Sequence, residues 1–230
     1  MKNIIGISTG SIYKLIESNN IDAYITYIRE DISHMINAIE ILIPENKLKT
    51  FKLSEGNKEW LKKLDWISFH LPKNNININN QEDIIRIINS LPKLDAIIIH
   101  CDISISGYIN LQNKKYKNII LYENTEHNNS IDFAEKICFD TSHALSFNYF
   151  YTLEFIKKYQ NRIKQIHLSN YDSEDNFIHY RFHLPFYKDS RKFFKLKNMI
   201  DFKAYPIIIE STFEDLEDAK REINFIKENV

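Results

Sequence analysis

The sequence predicts a (β/α)8 TIM barrel spanning residues 1–230 as one domain, and three observations carry that expectation. Eight short apolar runs recur along the chain, and amphipathic stretches with apolar residues at three- and four-residue spacing lie between them. The runs are continuously apolar rather than alternating, which is how strands buried on both faces of a parallel sheet read. A length of 230 residues falls near the lower end for such a barrel. An open doubly wound sheet built from the same alternation is the competing architecture. No shift in composition marks a linker or a domain boundary.

In order, the first run is NIIGIS (3–8), followed by IDAYITYIREDISHMI, whose apolar stripe predicts a helix. NAIEILI (37–43) is the second strand and carries one acid, Glu40, expected near the pocket floor and assigned no role. DWISFHL (65–71) finishes at His70, and after the helical QEDIIRIINSL the run DAIIIHC (95–101) finishes at His100. NIILYEN (118–124) finishes at Glu123. KICFDTS (136–142) finishes at Asp140, with His143 in the turn beyond, before the helical FNYFYTLEFIKKY. IKQIHLS (163–169) finishes at His167, and the loop after it holds Arg181 and His183 within HYRFHLPF. YPIIIES (205–211) finishes at Glu210 and leads into the last helix, TFEDLEDAKREINFIKEN.

Composition removes several function classes. The net charge of −1 gives no global basic field to attract nucleic acid, although a local patch would suffice. Only four glycines occur, and none forms a phosphate-cradling loop. Cys101 and Cys138 each fall inside a predicted strand and read as reduced core thiols. The opening MKNIIGISTGS lacks the apolar stretch of a signal peptide, and no run approaches the roughly 18 to 20 apolar residues of a membrane span, so a cytoplasmic protein is expected.

The strand ends carry the chemistry. In a (β/α)8 barrel the active site lies at the carboxyl ends of the strands. There this chain places His70, His100, Glu123, Asp140 with His143, His167 and Glu210. One strand-end histidine is ordinary packing, and one strand-end acid is often a helix N-cap, as Asp140 before TSHALSF would be. Six consecutive strands ending this way need another explanation, because buried charges need partners. A divalent cation is such a partner, and carboxylate oxygen with imidazole nitrogen suits zinc or manganese. Glu123, Asp140, His167 and Glu210 are expected to converge on one ion.

The pieces SFHLP (68–72), IIIHCD (97–102), ILYENTE (120–126), CFDTSHA (138–144), QIHLSN (165–170), RFHLP (181–185) and PIIIES (206–211) resemble, in order, those of the xylose isomerase-like barrel superfamily. That superfamily holds sugar isomerases and epimerases together with the endonuclease IV type of DNA-repair enzyme. The resemblance implies Glu123, Asp140, His167 and Glu210 as ligands of a single-metal site, with Glu123 and Glu210 also exchanging the proton. It implies His143, Arg181 and His183 as contacts to substrate. The endonuclease branch carries three zinc ions, and the resemblance places its additional ligands on His70, His100, His143, His183 and an Asp where this chain has Arg181. A cation there weakens a third metal site. The loop PKNNININN after His70 also lacks the aromatic and Arg residues that wedge a duplex open. The expected activity is therefore isomerisation or epimerisation of a small sugar or sugar phosphate, with KDSRKFFKLK (188–197) as a basic segment for a phosphate. Zinc-dependent cleavage of abasic DNA is the alternative, which His70 and His100 favour.

Overall fold

A computed structural model describes residues 3–16, 18, 20–72, 80–101, 114–125, 131–172 and 181–230; for Lys114, Tyr149 and Arg181 it describes the backbone alone. Most of PKNNININN, together with Asp102 and Glu126 of the motifs above, lies outside these residues.

The strands are β1 (Ile5–Ser8), β2 (Ala38–Leu42), β3 (Trp66–His70), β4 (Ala96–His100), β5 (Ile120–Glu123), β6 (Ile137–Asp140), β7 (Ile163–Leu168), β8 (Asn170–Asp172), β9 (Arg181–Leu184) and β10 (Ile207–Ile209). The helices are α1 (Ile21–Tyr27), α2 (Glu55–Leu61), α3 (Gln81–Ser90), α4 (Lys114–Lys117), α5 (Thr141–Phe147), α6 (Tyr149–Tyr159), α7 (Arg191–Lys197) and α8 (Leu216–Asn229). Eight strands close into a barrel in the order β1-β10-β7-β6-β5-β4-β3-β2, every pair parallel. This removes the open doubly wound sheet. No helix among the described residues is long and apolar enough to cross a membrane.

Each strand has two faces with different jobs. Alternate residues such as Ile39, Ile41, Ile67, Phe69, Ile97, Ile99, Phe139 and Ile166 belong to the large core that includes the helices. The other set turns into the barrel, where Ala96, Ile98, Leu121 and Cys138 pack together with Trp66 against them. Small residues let the strands approach: a Cβ on Gly6 would meet the Ala38 backbone at 2.5 Å, so β1 and β2 come this close only through glycine.

Three strand ends are stitched to the next strand by a side chain that imitates the backbone ladder. Thr9 donates from Oγ1 to the Leu42 carbonyl (3.2 Å) and accepts from the Leu42 amide (2.9 Å). Asn124 donates to the Asp140 carbonyl (2.9 Å) and accepts from its amide (2.8 Å). Thr141 does the same with Ser169, at 2.7 and 3.0 Å. These bonds continue the pairing one step past the sheet, where the ladder would otherwise fray.

Two expectations need correction. Arg181 and His183 are in β9, which pairs antiparallel with β8, rather than in an irregular loop. The stretch IDAYITYIREDISHMI is not one continuous helix: α1 ends at Tyr27 and passes into a π turn, Ile28–Ile32. Cys101 and Cys138 are free and buried, as expected.

Candidate metal centre

Parallel register brings the polar ends to one level. His100 is paired with Glu123 across β4 and β5, and Asp140 with His167 across β6 and β7. Strand-end side chains that point inward then meet at the mouth.

Glu123 is the hub. Its Oε1 lies 2.9 Å from His167 Nδ1, and its Oε2 lies 2.9 Å from His70 Nε2 and 3.0 Å from His100 Nε2. All four side chains are buried. Burial opposes the Glu123 charge, but His100, His167 and His70 outweigh it and hold the carboxyl well below its ordinary range. His70 shows the converse: burial pulls its pKa down, and Glu123 more than reverses this. His70 Nδ1 donates to the Leu71 carbonyl at 2.8 Å, which leaves Nε2 facing the centre. Glu210 Oε2 stands 3.3 Å from His167 Nδ1 and 3.9 Å from His183 Nδ1.

Asp140 serves two purposes. Its Oδ1 accepts the His143 amide at 2.6 Å and so caps α5. Its Oδ2 is buried with no hydrogen-bond partner among the described residues. Burial pushes its pKa up, and the negative charges of Glu123 and Glu210 add to this. His143 is therefore in the first turn of α5, one step more ordered than a turn beyond the strand. His183 is placed by unusual means. It has a left-handed backbone, φ 59°, which for a residue with a Cβ is unfavourable by about 1–2 kcal/mol. Its amide donates to Ser142 Oγ (3.1 Å), its carbonyl accepts from Thr212 N–H (2.7 Å), and its Nδ1 lies 3.1 Å from Ser169 Oγ. Its ring is 5.5 Å, edge to face, from that of His143.

Ligand atoms of Glu123, Asp140, His167 and Glu210 all lie within 4.8 Å of one another. The same holds for His70, His100 and Glu123, for Asp140, His143 and His183, and for Glu40, His70, His167 and Glu210. The unpartnered Asp140 oxygen beside two further carboxylates is what a divalent cation would satisfy, and the mixed O and N donors suit zinc or manganese. The chain's residues therefore fit a metal ion.

Above the centre is a cavity of about 250 Å³, lined by His70, His100, Glu123, His143, His183 and Glu210, and on its other wall by Ser8, Gly10, Ser11, Tyr13, Leu42 and Thr212. The β1 side of that wall carries no ionisable strand end, so the sequence has no signal that marks it. A larger cavity of about 490 Å³ lies away from the barrel mouth, beside Ile131, Asp132 and α6. Its cations are paired, Lys158 with Asp132 at 2.7 Å and Lys157 with Glu154 at 3.2 Å. The basic segment 188–197 contributes no residue to the cavity above the centre. Lys188 pairs with Asp218 (3.2 Å), Arg191 with Asp189 (2.9 Å), and Lys192 donates to the Tyr171 carbonyl.

The acid in β2 is the residue that sequence reasoning left without a role. Glu40 is fully buried and accepts from His167 Nε2 at 2.8 Å. Burial works against its charge, yet His167 carries its pKa down to about 2. His167 in turn is raised well above the ordinary histidine value: burial opposes this, and Cys138, Glu210, Glu40 and Glu123 together overcome it.

Eight parallel strands closed into a barrel, with helices between them and acids and histidines at the strand ends, make this chain a TIM barrel, as its apolar runs predict. The 3-keto-D-glucoside 4-epimerase YcjR of E. coli, in its apo form, has a similar structure: the match covers 100% of both chains with a TM-score of 0.56 at 11% sequence identity. At that identity the likeness is one of fold. No family model matches the chain, and no curated protein matches it by sequence.

Proposed function

We propose that this chain is a divalent-metal-dependent isomerase or epimerase acting on a sugar or sugar phosphate. The observation that carries the reading is the convergence of Glu123, Asp140, His167 and Glu210 from four strands. These four would hold zinc or manganese, which when bound polarises substrate oxygens as a Lewis acid. Glu123 and Glu210 both border the cavity and are suited to take a proton from a carbon beside a carbonyl and return it to a neighbour. The three imidazoles around Glu123 hold its carboxyl in the ionised form. His143 and His183 flank the same cavity and orient substrate hydroxyls. Arg181, which the family resemblance implies as a substrate contact, lies two residues before His183 in β9, and its side chain is outside what the structure describes. Likeness of fold to a protein described as a sugar epimerase supports the substrate class.

One observation favours a second reading. Both His70 Nε2 and His100 Nε2 point at Glu123 Oε2, and a one-metal enzyme does not need this pair as ligands. A second zinc held there would suit a phosphodiesterase acting on abasic DNA. Arg181, where a third ion would want an acid, stands against it.

Metal analysis with paired assays decides. One ion per chain, turnover of a sugar or sugar phosphate, and no cutting of abasic-site DNA are expected. Two or three zinc ions with strand scission would overturn the isomerase. Glu210→Gln is expected to lower turnover by about 100- to 10,000-fold, the range of a lost general acid–base; full activity in that variant removes Glu210 from the chemistry.

A further inference from the structure

Glu40 lies on the barrel floor directly behind the centre. Its Oε2 is reached by three groups: Ser68 Oγ donates at 3.0 Å, the Gln165 amide at 3.0 Å, and His167 Nε2 is 2.8 Å away. Its Oε1 has no hydrogen-bond partner among the described residues. A fully buried carboxylate with one idle oxygen is less favourable than an apolar residue of its size, so packing does not account for it.

The contact with His167 dictates a proton position. Oε2 already accepts from the Ser68 hydroxyl and the Gln165 amide, so it has no hydrogen of its own to offer, and a 2.8 Å approach requires hydrogen on Nε2. The Gln165 amide nitrogen is also 2.9 Å from Nε2, and it is turned that way because Trp66 Nε1 donates to Gln165 Oε1 at 2.8 Å. A bond from Gln165 would need a bare Nε2, which would set two lone pairs against each other at the closer Glu40 oxygen. By the same reasoning Nδ1 carries a hydrogen toward Glu123 Oε1 at 2.9 Å while no ion is bound; an ion held by Glu123 and Glu210 would take the place of that hydrogen, and the one on Nε2 would stay on Glu40. His70 is set in the opposite sense, with Nδ1 tied to a neutral backbone carbonyl and Nε2 inward.

We propose that Glu40 is a positioning residue: its carboxylate holds His167 as the Nε2–H tautomer and strengthens Nδ1 as a donor to the divalent ion. This rests on the reading that Glu123, Asp140, His167 and Glu210 hold that ion. Carboxylate partners of metal-bound histidines commonly act in this way.

The test uses the whole chain and measures zinc and manganese affinity by calorimetry, with ring ¹⁵N shifts of His167 in the zinc-loaded protein. Glu40→Gln, which keeps an acceptor but removes the charge, is expected to weaken binding about tenfold, and Glu40→Leu about 100-fold. Ser68→Ala removes a donor to the same oxygen without touching His167 and is expected to stay within about twofold of wild type. The wild-type ring should show the Nε2–H pattern. Wild-type affinity in Glu40→Gln, or an Nδ1–H pattern in the wild-type ring, overturns the proposal, and Glu40→Gln decides alone if the Leu variant does not fold. A wild-type chain that binds neither ion overturns the reading of the centre itself.

Discussion

The two flanks of the centre are built differently although both offer histidines. On one side His70 and His100 extend straight from adjacent strands β3 and β4, are buried, and share a single oxygen of Glu123. On the other, His143 sits in α5, and His183 in a short antiparallel hairpin has a left-handed backbone and a side chain 25% exposed. Asp140, the acid between them, has already given Oδ1 to the helix cap. The geometry of the first flank is that of the sheet. The second is assembled from the first turn of α5 and the β8–β9 hairpin, with His183 held by Ser142, Ser169 and Thr212. The difference is one of construction: the β3–β4 side is organised around the Glu123 charge, whereas the hairpin side leaves His183 partly exposed.

The sharpest way to break this picture is at the hub that the first flank shares with the central four. Glu123→Gln removes the charge that three imidazoles face. Metal affinity is expected to fall by more than the roughly 10- to 100-fold that losing an outer partner produces. Calorimetric titration with zinc checks this, and binding that survives the substitution would mean the ion sits elsewhere.

Much of that hub was legible in the sequence, because barrel strands announce themselves. Continuous apolar runs mark both-face burial, and the last polar residue of each run is forced to the mouth by parallel register, as with His100 beside Glu123. Strand limits were less legible: NIILYEN begins two residues before β5, because Ile119 N–H still bonds the Tyr116 carbonyl of the preceding turn. Glu40 could not be assigned from sequence, since its partners Gln165 and His167 are 125 and 127 residues away. One acid in an apolar run has no local signature that tells a barrel floor from an exposed edge. The β8–β9 hairpin was equally silent, for its strands NYD and RFHL are too short to show a period. Asn124 and Thr141 read as parts of motifs, yet their ladder-extending bonds depend on strands brought alongside only by folding.

Comparing one histidine from each flank sharpens the contrast. His100→Ala deprives Glu123 of one of its three imidazole neighbours and is expected to weaken binding of the central ion about tenfold, as for a lost outer partner. His183→Ala, 3.9 Å from Glu210, is expected to leave that affinity within about twofold, its effect appearing in KM for the sugar instead. Equal losses of metal affinity from the two would erase the distinction. If His100→Ala instead lowers zinc content by a whole ion per chain, the phosphodiesterase reading gains.

The smallest effect on the ion is expected from a residue that braces the hairpin flank from behind. Glu222 on α8 accepts the amides of Phe186 (2.8 Å) and Tyr187 (2.9 Å), just past β9, and the Ser211 hydroxyl (3.4 Å), just past Glu210. Burial pushes its pKa up to about 7, with Asp218 on the same helix adding to the rise and the three donors opposing it. A carboxyl whose folded pKa exceeds its unfolded one stabilises the fold in full below the unfolded value and loses that contribution as pH climbs through the folded value. The window therefore runs from the ordinary glutamate range up through about 7. Over it the wild-type chain is expected to lose up to about 3 kcal/mol from this group. Glu222→Gln keeps an acceptor for the same donors but cannot ionise, so its urea-unfolding free energy should decline less over that window while zinc affinity stays unchanged. Identical pH slopes in the two proteins would show that the two amides and the hydroxyl already neutralise the burial penalty, and that the hairpin flank is braced equally well by a charged Glu222.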